Sequence, residues 1–425
     1  MTTPIAPYAP KDRFEVYRFF NGISAEGKEG LNERYARIPL VKTFLLEHVS
    51  SRSGRTPKAP AEILKAVGAE VRFLDDSFLE VRAWMEEERG TTPRMAPVGY
   101  IEQYDDRFFA FYTAERADEA RKRVRRWLLQ SSELDHAWFS GHLLQSLWDH
   151  DVSKRGDDRF GKLVFRHESI FDMPDDATQG PDEEEENTEE APEEDTPERD
   201  RRKARFEMGD RIGPIRKALD NLQRTYNPLN ALYALRIPSR VGRGSHDLYQ
   251  AGQVTNRSDS FEDHRNMVRY LYRTYQAVLE RTEKSAWLEL EAPAASMRTM
   301  RMSFKGVPLI VHFGEELSEA TFKRWVTLAF QKRNQFRLWG DPMWLGPTKV
   351  HIYGADRHLW QPINIEMTAK HLVAILPKGT CGNTFHRLVT NIQRYVCPKI
   401  DVWLGNTPFQ DLMGEAHKVQ EESRE

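Results

Sequence analysis

The strongest enzyme-like pattern in the sequence is a cysteine followed six positions later by an arginine. Cys381 and Arg387 lie in segment 376–387, which reads as a strand, a glycine-containing turn and the start of a helix. A thiolate can attack phosphorus while a nearby guanidinium holds the phosphate oxygens. Backbone N–H groups at the start of a helix also favour anions. This interpretation predicts an enzyme that processes a phosphate ester, with Cys381 as nucleophile and Arg387 as clamp.

Two features of the same segment favour an ordinary turn with a small buried thiol. Leu388 follows Arg387, where cysteine-dependent phosphatases carry Ser or Thr, and the turn has only Gly379 and Gly382. The enzyme therefore stays a second hypothesis. We predict no cofactor and no metal site, because the histidines at 136, 142 and 150 lack the four-residue spacing of a zinc-binding pair on a helix.

A second pattern is a group of arginines around a long polar segment, residues 236–259. Its members are Arg236, Arg240, Arg243, Arg257 and Arg265. Guanidinium groups bind phosphate and carboxylate oxygens in a fixed fork geometry. The segment also carries two adjacent acid–histidine pairs, at 246–247 and 263–264. Adjacent side chains rarely face each other, so acid–base chemistry there would need partners from elsewhere. We predict that the five arginines are binding residues.

The charge of the chain is strongly separated. Its formal net charge is −3, yet residues 174–198 contain 13 Asp and Glu and no Lys or Arg. Residues 206–412 carry 28 Lys and Arg against 19 Asp and Glu, which is +9. A basic surface with aromatic side chains suits nucleic acid, and a flexible acidic tether could compete for it. The alternative is scattered positive charge beside a segment that only aids solubility. Zinc-finger spacing and the RRM aromatic motif do not occur.

The leading prediction is a non-catalytic binding protein that contacts nucleic acid or an acidic partner through its basic C-terminal domain. An assembly or scaffold subunit is a further alternative, and the oligomeric state is not predicted. The two cysteines, Cys381 and Cys397, fit a reducing compartment. No secretory signal and no apolar window of about eighteen residues occur. We therefore expect no membrane partner and a cytoplasmic or nuclear location. The basic run 199–205 is either an import signal or a solvated linker end.

The supporting architecture is predicted to be α+β, in two domains. Residues 1–173 and 206–412 are the domains, 174–205 an acidic and then basic disordered linker, and 413–425 a disordered tail. Apolar spacing predicts helices near 38–49, 63–74, 115–130, 134–149, 212–222, 260–278, 318–336 and 383–396. Strands are predicted at 98–104, 107–112, 162–166, 300–304, 307–313, 349–353, 363–367, 371–376 and 400–404. Residues 236–259 are predicted to be a loop and 340–342 a turn. Trp339, Trp344 and Trp360 are predicted to be core, with a contact patch as the alternative.

Overall fold

The computed structural model describes residues 10–30, 40–48, 56, 58–85, 94–152, 156–173, 203–241, 243–291 and 303–414. Helices and antiparallel sheets are mixed in these residues, which confirms the predicted α+β class. Residues 174–202, most of the predicted linker, lie outside the described residues.

The elements follow one another along the chain in this order. The first half contains α1 (Arg13–Gly30), β1 (Lys42–His48), α2 (Pro60–Ala66), β2 (Glu70–Asp75), β3 (Phe78–Met85), β4 (Arg94–Gln103), β5 (Phe108–Thr113), α3 (Ala117–Gln130), β6 (Leu134–His136), α4 (Gly141–Leu147) and β7 (Phe160–His167). Then come β8 (Ala204–Arg211), α5 (Ile212–Thr225), β9 (Leu232–Pro238), β10 (Ser245–Tyr249), β11 (Gln253–Asn256), α6 (Phe261–Ala286), β12 (Glu289–Glu291) and β13 (Ser303–Lys305). The last are β14 (Leu309–Phe313), α7 (Glu319–Gln331), β15 (Leu338–Gly346), β16 (Lys349–Asp356), β17 (Gln361–Thr368), β18 (His371–Ile375), α8 (Asn383–Tyr395), β19 (Ile400–Leu404) and β20 (Thr407–Pro408).

The chain divides into two compact units that do not follow the predicted domain boundaries. Unit 1 combines Met1–Ala137 with Arg236–Tyr272, and unit 2 combines Trp138–Leu235 with Arg273–Glu425. The predicted domains 1–173 and 206–412 stay a prediction beside these units. Sequence composition marks where a chain is polar, but it does not show that a later segment, 236–272, packs with the first 137 residues.

Unit 1 is built on antiparallel strands in the order β2–β3–β4–β5–β1–β11–β10, with β6 also paired to β1. The predicted hairpin is confirmed: Tyr100 of β4 is in register with Tyr112 of β5. The helix predicted near 115–130 is α3, whose stripe of Ala120, Val124 and Trp127 is buried against the sheet. Its Trp127 ring meets the Phe111 ring edge-on at 5.0 Å between centroids.

Several predictions in unit 1 were wrong. The helix predicted near 63–74 ends at Ala66, and Glu70–Asp75 form β2. Residues 42–48 form β1 rather than part of a helix, and all seven are buried. A strand covered on both faces shows a continuous apolar run, which resembles a buried helix by periodicity. The predicted loop 236–259 contains β10 and β11, whose residues 246 and 256 are in register. Ser260 caps α6 as predicted, since its Oγ accepts the Asp263 N–H at 3.2 Å.

Unit 2 contains an antiparallel sheet in the order β15–β16–β17–β18–β14–β19–β20, a β12–β13 pair and the run β9–β7–β8. Burial alternates along β17 and β18, so one face of the sheet is covered and the other is open. Helix α7 begins after Ser318, whose side chain accepts the Thr321 N–H as a cap. Helix α8 is buried at all thirteen residues.

Several predicted details of unit 2 need correction. Residues 340–342 are not a turn but part of β15, where Pro342 is in register with Ile352. An edge strand tolerates proline because one side of its backbone needs no partner. The three tryptophans predicted as core, Trp339, Trp344 and Trp360, are 48%, 43% and 53% exposed. At the predicted linker and tail, residues 204–205 belong to β8, and Met413 is fully buried in a final helical segment, 409–414.

Candidate functional site

The arginine group of unit 1 divides into residues that are neutralised and residues that face solvent. Asp247 on β10 is 9% exposed and accepts from two guanidinium groups. Arg236 donates through Nε at 2.6 Å and through Nη2 at 3.0 Å, and Arg257 donates through Nε. The guanidinium charges hold the pKa of Asp247 below its usual value despite burial, which opposes that shift. Arg236 and Arg257 are therefore tied into the structure of the β10–β11 hairpin.

Arg265 is held in the same way by Glu102 of β4, which is 2% exposed. Its Nε donates to Glu102 at 2.8 Å, and Arg269 from the next turn of α6 donates to the same carboxylate at 2.7 Å. The Arg265 guanidinium also lies 4.9 Å from the centroid of the Tyr17 ring. Burial raises the pKa of the Glu102 carboxyl, but the two arginines outweigh it, so that pKa is lowered. Arg265 thus ties α6 to the sheet of unit 1.

Arg240 and Arg243 differ from the other three because both are exposed. The Arg240 guanidinium lies 4.0 Å from the centroid of the Tyr270 ring, a cation–π distance that holds the group in place at the surface. Arg243 stands at the tip of the β9–β10 connection, beside Gly244 with φ of 107°. Of the five predicted binding residues, these two are the ones placed to meet a ligand in solution.

The acid–histidine residues of this region are joined across the fold rather than to their neighbours. Asp263 accepts from Ser239 Oγ at 2.7 Å and lies 3.0 Å from His246 Nε2. His246 Nδ1 is 3.3 Å from His264 Nδ1, and His264 Nε2 is 2.7 Å from Thr43 Oγ1. If the Asp263 carboxylate accepts from His246 Nε2, then His246 Nδ1 can accept from His264 Nδ1, and His264 Nε2 can accept from Thr43 Oγ1.

Burial and the neighbouring His246 lower the pKa of His264 far below its usual value. The hydrogen bonds from His246 and Ser239 lower the pKa of Asp263 to about 2. As predicted from the sequence, these residues find their partners away from their immediate neighbours: His246 is 17 positions from Asp263 and 18 from His264. Since His246, His264 and Thr43 are completely buried, this row is a structural network.

In unit 2, the turn that carries Cys381 is closed by side-chain acceptors. The Cys381 N–H donates to Gln361 Oε1 at 2.6 Å, and the Gly382 N–H donates to Glu283 Oε1 at 2.9 Å. These two N–H groups at the start of α8 are those expected to receive an anion. The Cys381 side chain is 5% exposed, and its Sγ lies within 4.8 Å of a ring nitrogen of His358. The structure thus adds an imidazole that the sequence analysis missed.

Arg387 is completely buried in α8 and joins the turn before β15 to the end of β16. Its Nε donates to the Phe336 carbonyl at 2.9 Å, and its guanidinium pairs with Asp356. Asp356 is 1% exposed and also accepts from Thr384 Oγ1 and from the His358 N–H. The guanidinium is engaged by these groups, so the structure places Arg387 in the framework around Cys381.

The residues that sequence reasoning missed, His358 and Asp356, gave no local signal. Asp356 and Arg387 are brought together by the packing of α8 on the sheet, and nothing near either residue in sequence indicates it. The exposed tryptophans did carry a signal: the Gly340–Asp341–Pro342 run beside them is typical of a sheet edge as well as of a turn.

Comparison with known proteins places the chain in a family without assigning it an activity. The MJECL33-like protein family matches residues 20–410, which is most of the sequence. The chain belongs to this family. It is also similar to the uncharacterised protein MJECL33 of Methanocaldococcus jannaschii, with 28% identity over 148 residues. That match covers 35% of the chain and 34% of the relative, so it spans about a third of the relative's length. No solved structure matches the chain.

Among the helices that the structure describes, none combines the length and the apolar character that crossing a membrane requires.

Proposed function

We propose that this protein is a non-catalytic binding protein that contacts nucleic acid through the basic part of its chain, residues 206–412. The observation that carries the proposal is the exposure of Arg240 and Arg243 at the surface of unit 1. Arg236 and Arg257 form ion pairs with the Asp247 carboxylate of the same chain. Arg240, by contrast, lies over the Tyr270 ring at the surface. A stacked guanidinium loses little side-chain freedom when it receives a phosphate.

The charge distribution supports the same proposal. Residues 206–412 carry a net +9, while residues 174–198 carry 13 acidic residues and no basic ones. An acidic segment in the same chain competes intramolecularly with a polyanion for a basic surface. Deleting residues 174–198 is therefore expected to raise the affinity for an oligonucleotide. Unchanged affinity would show that the segment does not compete for the basic surface and serves only as a linker.

The direct test is fluorescence anisotropy of labelled single-stranded and duplex oligonucleotides with the Arg240→Ala/Arg243→Ala protein. Binding should weaken, and the slope of log affinity against log salt should become shallower by about 0.7 to 0.9 for each phosphate that the variant no longer neutralises. Arg224→Ala is the matched control, because Arg224 is an exposed arginine on α5. Equal affinities and salt slopes for the double variant and the wild-type protein would show that Arg240 and Arg243 do not contact the nucleic acid.

A second candidate function rests on the proximity of Cys381 and His358. Cys381 Sγ and a ring nitrogen of His358 lie within 4.8 Å of each other, and the imidazole could take the thiol proton on closer approach or through one water. The start of a helix favours the thiolate that results. This candidate is an enzyme acting on a phosphate ester, with Cys381 as nucleophile and His358 as base. It does not require Arg387 as the clamp, because Asp356 pairs with that guanidinium. Hydrolysis of p-nitrophenyl phosphate that persists in a Cys381→Ser variant would reject it.

A further inference from the structure

Three arginines of unit 2 gather where β15 begins and β16 ends. Leu338 is in register with Asp356, and just beyond this pair the Arg357 N–H donates to the Arg337 carbonyl at 2.7 Å. The backbone therefore sets Arg337 opposite Arg357. Burial and the charges of Arg333 and Arg337 lower the pKa of Arg357. Like charges placed directly opposite across two strands repel each other, and an anion bound beside them would offset part of that repulsion.

A buried framework holds the two strands in this unfavourable arrangement. Arg387 bonds the carbonyl of Phe336 on one side and pairs with Asp356 on the other, so it fixes the residues that precede Arg337 and Arg357. The turn before Arg337 is fixed as well, because the Arg337 N–H donates to the Asn334 carbonyl at 3.1 Å. The arginines are consequently positioned by packing before any ligand arrives.

Backbone strain is concentrated at the same place. In the described part of the chain, the non-glycine residues with positive φ are Arg337 at 54°, Leu359 at 64° and Trp360 at 50°. A residue with this backbone conformation is strained and persists only where the surroundings enforce it, often at ligand sites. In addition, the buried Nε of Arg357 has no hydrogen-bond partner among the described residues. An oxygen of a bound anion would supply that partner.

Beside the arginines, the open face of the sheet presents aromatic rings. Trp339 is 48% exposed and Tyr353 is 70% exposed. Trp339 is in register with Ala355 and Asp341 with Tyr353, so the two rings are diagonal neighbours. Diagonal positions lie about 7–8 Å apart, within reach of aromatic side chains. A sheet face with exposed aromatic rings is a platform on which unpaired bases stack.

We propose that this face of unit 2 binds single-stranded nucleic acid. A backbone phosphate lies among Arg333, Arg337 and Arg357, and the adjacent bases stack on Trp339 and Tyr353. The occupant is single-stranded because stacking on a side chain requires a base face that a duplex conceals. This inference rests on the proposed function and extends it to a site that does not include Arg240 or Arg243.

The test uses the full chain and a fluorescein-labelled single-stranded oligonucleotide in anisotropy titrations at several salt concentrations. Arg333→Ala/Arg357→Ala should weaken binding about tenfold and make the salt slope shallower by about 0.7 for each phosphate that the variant no longer neutralises. Tyr353→Ala should weaken binding about tenfold because a base no longer stacks there, with an unchanged salt slope. Lys323→Ala is the control for charge, because Lys323 is an exposed cation on α7 paired with Glu319.

Circular dichroism and urea unfolding establish that each variant is folded. Arg333 and Tyr353 are exposed, so Arg333→Ala and Tyr353→Ala keep the test valid if Arg357→Ala does not fold. Wild-type affinity in these variants would overturn the inference while leaving the proposed function intact. If an unlabelled duplex or inorganic phosphate competed as well as the unlabelled single strand, the inference that the occupant is single-stranded would be wrong. A wild-type chain that binds no oligonucleotide would refute the proposed function as well.

Discussion

Replacing Asp247 by Asn tests whether Arg236 and Arg257 serve the fold rather than a ligand. The substitution keeps the shape of the side chain but removes the charge that receives three hydrogen bonds from two guanidinium groups. Removing one partner of a fully buried ion pair costs about 3–5 kcal/mol. Here Arg236 and Arg257 are 19% and 32% exposed, so water screens part of the loss. We therefore expect the free energy of unfolding to fall by about 2 kcal/mol.

The assay is urea unfolding at pH 7, with hydrogen exchange of β10 and β11 to locate the effect. Glu262→Gln, an exposed carboxylate in the first turn of α6, is the control and should change stability by less than about 0.5 kcal/mol. Because the folded pKa of Asp247 is lowered, its stabilising effect is complete above the usual value of 3.8 and is lost as the pH falls through the folded pKa. The difference between variant and wild type should shrink in acid.

Two results would refute this reasoning. A loss of stability no larger than that of Glu262→Gln would show that the ion pairs contribute little. A loss of oligonucleotide affinity in a folded Asp247→Asn protein would show that the carboxylate shapes the binding surface, since removing a negative charge should not by itself weaken binding to a polyanion.

Three other perturbations have defined outcomes. Burial lowers the pKa of His48 and of His142 to about 4, so the stability that each contributes is present above the usual value of 6.5 and is lost as the pH falls from 6.5 to 4. Acid titration followed by circular dichroism should show this loss in the wild-type protein. A His48→Gln/His142→Gln protein should not show it. Ser318→Ala removes the cap of α7 and should cost about 1 kcal/mol in urea unfolding, with Ser318→Thr as control; no change would contradict the capping role. Gly306 has φ of 94°, and an added Cβ would lie 2.1 Å from the Trp287 carbonyl oxygen. Gly306→Ala should therefore cost more than about 1 kcal/mol by thermal unfolding, and a neutral result would contradict the geometry.

Local patterns predicted the elements that a single stretch of chain specifies. The helices α3, α6 and α7 were predicted near their observed positions because an apolar stripe depends on residues a few positions apart. The alternation of β17 was visible for the same reason. The strand β1 was misread as a helix, since burial on both faces removes the alternation that identifies a strand.

In the candidate sites, too, local sequence predicted the residue types but not their tertiary partners. The sequence indicated the arginines around 236–265 and the turn at Cys381, because composition and spacing reveal residue types that bind anions. It did not show that Asp247 neutralises Arg236 and Arg257, or that Asp356 pairs with Arg387. Those pairings are set by strand register and by helix packing, and residues close in sequence indicate neither.

The sequence by itself determined the α+β class, the charge separation and the positions of the amphipathic helices. Only the tertiary structure decided that residues 236–272 belong with the first 137, that His264 meets Thr43 across 221 positions, and that the tryptophans of β15 face solvent. The physical reason is the same in each case. Periodicity and composition are local properties of a chain, whereas burial and charge pairing depend on contacts between segments that are remote in sequence.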